Sequence, residues 1–144
     1  MRKLWLILAV LVFPATVFAA DAGTVTATAE WVPGQRTKIV KISWIADASG
    51  EVWGEVPVPI NGKVFQVRTI PSATAAPTDN YDPYIKDYDS SYSYLTTMLE
   101  NRDTANTEVV VPAYVPLYGT LGFSASAAGN AGAGDCWLWI QVPE

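Results

Sequence analysis

Four aspartates in one short stretch, Asp79, Asp82, Asp87 and Asp89, are the first candidates for chemistry in this chain. Hard carboxylate oxygens grouped this way are the ligands that Ca²⁺ takes. Their spacing is not that of an EF-hand. With Asp87 as the first loop position, the sixth is Tyr92 where the turn needs Gly, and the twelfth is Met98 where a bidentate Glu belongs. Aspartates between strands also serve as turn formers and solvated charge, so a calcium loop and plain turns are both open readings. A glycosidase would need two such carboxylates facing each other across a cleft. A chain of 144 residues has little material for a deep cleft beside a core. There is no histidine, which removes the Ser-His-Asp triad, the Cys-His dyad and the imidazole metal site. The glycine run from Gly129 to Gly134 lacks the Lys and Ser/Thr of a P-loop. A non-enzymatic protein is expected.

The aromatic residues form a second set. Along the last predicted strand Cys136, Leu138 and Ile140 alternate with Trp137 and Trp139, so a core facing the first three puts the two indoles on the outer face, about 7 Å apart. Trp53 lies beside Glu55 on the polar side of its own strand, and Tyr84 and Tyr88 belong to a tyrosine-rich stretch with Tyr81, Tyr92 and Tyr94. Outward indoles and phenols can anchor a protein interface or stack on sugar rings. A third reading is that residues 88–103 or the N-terminus cover this face and make it ordinary core.

These side chains need a scaffold, and period-two alternation of Val, Ile, Thr, Trp and Tyr predicts strands throughout. Residues 24–31 place Val25, Ala27, Ala29 and Trp31 on one face, and residues 38–46 place Val40, Ile42, Trp44 and Ala46 inward. Residues 51–58 follow, with Pro57 and Pro59 suggesting an edge strand. Asn61-Gly62 then predicts a two-residue hairpin into a strand over 63–70. After a Pro, Ala and Thr linker at 71–78 comes a short strand over 81–87 interrupted by Pro83. Residues 92–101 have helical spacing through Leu95, Met98 and Leu99, fitting a short helix or an irregular crossover. A valine-rich strand over 107–114, a turn at Pro116, a strand with Leu121, Phe123, Ala125 and Ala127 inward, a flexible glycine hairpin loop at 129–134 and a strand over 135–142 complete the chain. The expected fold is all-β, an antiparallel two-sheet β-sandwich of jelly-roll or Ig-like type with about eight strands.

Arg2-Lys3, the apolar run from Leu4 to Val12 and Val17-Phe18-Ala19 read as a secretory signal over residues 1–19, cut after Ala19. Leu4 to Ala20, broken by Pro14, is shorter than a spanning helix needs. The expectation is an exported protein, periplasmic, extracellular or on a virion surface, with a single domain over 20–144 and no membrane association after cleavage. Without Arg2 and Lys3, seven basic residues face 14 acidic ones, a net charge of −7. That balance disfavours nucleic acid, which needs a basic footprint. Cys136 has no second cysteine to pair with in this chain. The alternation points it into the core, the other reading being a disulfide to a second chain.

Four patches carry a resemblance: Val40-Lys41-Ile42-Ser43-Trp44 running into Asp47-Ala48-Ser49-Gly50, then Pro77-Thr78-Asp79-Asn80-Tyr81-Asp82, then Asn101-Arg102, and the Gly-rich turn before the last strand. Together they resemble a group of small signal-bearing proteins encoded in tailed-bacteriophage genomes. Where that group has an unbroken strand and a tight Asp-Gly turn after the Tyr-Asp pair, this chain has Pro83 and then Asp87-Tyr88-Asp89-Ser90-Ser91. The resemblance implies a structural or accessory virion component and transfers no catalytic residues. The expected function is therefore assembly, with copies of itself or other structural proteins as partners. The alternative is a carbohydrate-binding or adhesin module on a cell-surface glycan, through Trp137, Trp139 and Trp53.

Overall fold

The computed structural model describes residues 23–78, 80–90, 92–95 and 99–143. Residues 1–19, where a secretory signal is expected, and Asp79 lie outside the described residues. The elements are β1 (Thr24–Trp31), β2 (Thr37–Ile45), β3 (Val52–Pro71), β4 (Asp82–Asp87), β5 (Ser93–Leu95), β6 (Glu108–Val110), β7 (Val115–Ser126) and β8 (Ala133–Gln141). All pairings are antiparallel, in the order β1-β2-β8-β3-β7-β4-β5 with β6 on β3. One hydrogen-bonded sheet thus runs through the whole fold.

The 20-residue β3 lets that sheet fold over itself. Its first part pairs with β7 and its last part with β8, so β1, β2, β8 and the end of β3 form one layer, and the start of β3, β7, β4 and β5 the other. The faces meet through side chains on strands that do not pair: Trp44 of β2 lies 6.1 Å from Phe123 of β7 and 5.5 Å from Tyr81. Gly54 of β3 has no side chain where Val25 of β1 approaches, since a Cβ there would sit 2.9 Å from Val25. The expected all-β antiparallel sandwich is the fold, its two layers being halves of one sheet. Its core holds Val40, Ile42, Trp44, Val52, Val56, Ile60, Val64, Leu121, Phe123, Cys136, Leu138 and Ile140. These are the inward positions of the alternation.

Several local expectations are corrected. Asn61-Gly62 is not a hairpin but the middle of β3. The alternation keeps its phase straight through it, with Val56, Ile60, Gly62 and Val64 all buried, and a reversal of direction would have required strands on either side to pair with each other. The glycine serves a close approach instead: a Cβ on Gly62 would lie 2.5 Å from the Gln141 carbonyl oxygen. Pro57 and Pro59 do lie on an edge, since this part of β3 pairs only with β7, but it is the first part of the long β3 and not a strand of its own. They sit where the β3–β7 register shifts between Val56 and Ile60, a bulge that tolerates missing donors.

Ser93–Leu95 is strand, so helix does not begin at residue 92; residues 96–98 lie outside the described residues, and Leu95 and Leu99 are both buried. Pro83 and Pro116 lie within β4 and β7 rather than ending them. The glycine run is not a hairpin loop either, because β7 and β8 do not pair and the run carries the chain from one layer to the other. It is tied down by Ala46 N donating to Gly132 O, Ala131 N to Asp47 O and Gly132 N to Gly129 O. Ala29, Trp31 and Ala127, expected inward, are exposed.

Candidate functional site

Strand β8 lies between β2 and β3, which fixes what surrounds its outward tryptophans. Trp137 stands opposite Lys41 and Arg68, and Trp139 opposite Ile39 and Gln66. The indoles are 6.0 Å apart and tilted by 41°. Lys41 Nζ lies 4.7 Å from the Trp137 ring centroid and Arg68 Cζ 5.3 Å from that of Trp139. Lys41 also forms a 2.9 Å ion pair with Glu30 of β1. The outcome is a cladding of cation–π contacts across the layer, each contributing about 0.5–1 kcal/mol at a solvent-accessible site. Both tryptophans are half-buried on the outer face, with Lys41 and Arg68 against their rings.

The second cluster is more open. Strand β7 lies between β3 and β4, so Trp53, Ser124 and Tyr84 form one cross-strand row and Glu55, Gly122 and Lys86 the next. Gly122 leaves the sheet bare there, and the Trp53 indole fills the space: a Cβ on Gly122 would lie 2.4 Å from its Cη2. Trp53 and Tyr88 stack 5.7 Å apart with an interplanar angle of 8°, and both are about 40% exposed, at 41% and 40%. Lys86 Nζ lies 5.6 Å from the Trp53 ring and 5.3 Å from Tyr84. The structure thus joins Trp53, Tyr84 and Tyr88, and sets Trp137 and Trp139 on the other layer.

Tyr88 is held by its loop. Its N–H donates to Thr120 O at 3.0 Å, and Asp87 Oδ1 accepts from the N–H groups of Asp89 and Ser90. Asp87 Oδ2 accepts from the Tyr94 hydroxyl at 3.3 Å. Burial, and after it the Asp87 charge, pushes the Tyr94 phenol above its ordinary range. Asp82, at the other end of β4, accepts from Asn101 N at 2.8 Å. Five residues of strand set the Asp82 and Asp87 backbones about 17 Å apart, and Asp89 is exposed beyond the strand. Among the described residues no three carboxylates, cysteines or histidines stand together as a metal cage. Asp82, Asp87 and Asp89 do not form a single calcium cluster, and the first two act as turn anchors.

The patches of the resemblance meet in two corners. In one, Ala128 N donates to Gly50 O, Ala131 N to Asp47 O and Thr78 N to Ala128 O. Asp47 Oδ1 there accepts from Ser49 and Glu51 N–H groups, and these bonds, led by that of Glu51, hold its carboxyl below the usual value. In the other, Tyr81 bridges to Arg102 beside the Asp82–Asn101 bond. These motifs build turns. Inside the core burial pushes the Cys136 thiol up to about 12 and the Tyr81 phenol up to about 12, so Cys136 is an inert core residue and not a thiol poised for a second chain.

The reading from sequence missed Lys41, Arg68, Lys86 and Gly122. Alternation assigns each to a face, but only strand order shows that it meets an indole. No family model and no curated protein matches the chain. A solved structure of carbohydrate-binding modules from the β-sandwich superfamily matches at 18% identity and a TM-score of 0.29, over 82% of this chain. The chain spans 53% of that protein's length.

Proposed function

We propose that this protein is a non-catalytic assembly module, exported after loss of its leader and joined to copies of itself or to other structural proteins. The observation that carries this reading is the amount of large apolar side chain left in water. Trp31, Ile45, Trp53, Tyr88, Val109, Val111 and Tyr118 are all exposed, as is Tyr114 beside Phe65. Exposed apolar surface of this extent, rich in Trp and Tyr, marks interaction sites. The resemblance to phage-encoded proteins makes a virion the proposed setting, as a decoration or accessory component. The experiment is density-gradient sedimentation of the secreted chain with and without particles of its source. Migration with particles or as an oligomer supports the reading, and a lone chain under both conditions sinks it.

A second reading has its own observation. The Trp53–Tyr88 stack, open to solvent with Lys86 and Glu55 beside it, has the apolar face and polar rim that a sugar ring uses. It relocates the glycan reading away from Trp137 and Trp139, whose rings are already covered by cations. Tryptophan fluorescence should then respond to soluble glycan in the wild type and in W137A, and not in W53A. A response that survives W53A would exclude this site.

A further inference from the structure

Strand edges are the hazard of an open sheet, and natural proteins blunt them with short strands, prolines, bulges or charge. Two free stretches of this sheet are blunted in those ways. Strand β5 is three residues long and its register with β4 shifts between Ile85 and Lys86. The start of β3 carries Pro57 and Pro59, and Lys38 Nζ donates to the Pro59 carbonyl at 2.8 Å. Among the described residues nothing blunts strand β1. It ends the strand order, runs for eight residues without proline or bulge, and pairs with β2 in unbroken register from Thr24↔Ile45 to Trp31↔Lys38. Its one charge, Glu30, is tied to its own Lys41 at 2.9 Å.

We propose that β1 is the interface between two copies of this chain, pairing antiparallel with itself about a two-fold axis at Thr28. This rests on the assembly reading above and names its contact. Residues directly opposite in an antiparallel pair share a face, so a sheet whose core side continues from one copy to the next must pair odd positions of β1 with odd ones. With the axis at Thr28, Ala27 faces Ala29, Thr26 faces Glu30 and Val25 faces Trp31, each residue meeting one from the other copy. No like charges meet. The register also covers Trp31, which has the parity of the core face yet is 59% exposed opposite Lys38 of β2. An aromatic ring against a β-branched side chain is a favoured cross-strand pair, and each copy supplies one of each, as an isologous interface requires.

Thr28 is exposed, so it can be changed without touching the core. The wild-type chain should sediment as a dimer, T28K should sediment as a monomer because it sets like charges face to face across the axis, and T24K, which meets no lysine, should remain dimeric. Under mild oxidation T28C should form a disulfide-linked dimer and T24C should not, the buried Cys136 taking no part. A dimer unchanged in T28K and uncrosslinked in T28C overturns the β1 interface and leaves the assembly reading standing. A monomer in which the β1 amides that point away from β2 are protected from hydrogen exchange overturns it too, since the edge would then be covered within a single chain. A monomer that also fails to sediment with particles removes both.

Discussion

Single residues here serve shape more than reactivity. Gly122 exists for the Trp53 indole, so G122V should expel the ring and abolish the Trp53–Tyr88 stack, seen as loss of near-UV circular dichroism and a shift in tryptophan emission while far-UV signal is kept. Two core groups that burial raises, Cys136 and Tyr81, weaken the fold at alkaline pH. The unfolded chain releases the Cys136 and Tyr81 protons near the ordinary values of 9.0 and 10.0, while the folded protein holds both to about 12. Stability therefore falls as pH rises through that window, where the unfolded state binds fewer protons, and the urea midpoint should drop between pH 9 and 12. At the acid end the sign is reversed. Asp47 and Asp103, the latter held low by bonds from the Asn106 side chain and the Ala105 and Asn106 N–H groups, stabilise above the ordinary value of 3.8, and that contribution is lost as pH falls through their lower folded values. The same residues explain a limit of sequence reading. Asp87 is an equally good calcium ligand or turn anchor on paper, and only its bonds to Asp89, Ser90 and Tyr94 decide.

At the scale of elements, β3 carries the architecture because it belongs to both layers. Its crossing point is Gly62, where a Cβ would meet the Gln141 backbone, an atom that cannot swing aside. G62A should cost about 1–3 kcal/mol, as overpacking in a tight site does, measured as a lower denaturant midpoint at unchanged slope. Within β8, L138A should cost about 2–5 kcal/mol for an emptied core position, since Leu138 is fully buried. Much of this was legible in the chain. Val40, Ile42, Trp44, Leu121, Phe123, Cys136, Leu138 and Ile140 all face the core as their alternation requires. Strand β3 was misread because Asn61-Gly62 is a strong local turn signal, yet the phase of burial through Val56, Ile60 and Val64 runs on across it. The unpaired β7–β8 connection was beyond reach of local pattern, because nothing in Gly129 to Gly134 states which strand its successor will join.

For the whole molecule, the two aromatic clusters lie on opposite layers and have different surroundings. One is sheathed by Lys41 and Arg68 and the other is open, which is why exposure of the indoles could not be read from alternation alone. The proposed assembly draws on the β1 edge, which no described residue pairs with besides β2, and on exposed apolar side chains of both layers. The direct measurement is sedimentation velocity of the purified chain over a concentration series. The account predicts a species heavier than one chain that persists on dilution. A single-chain species at every concentration would contradict it.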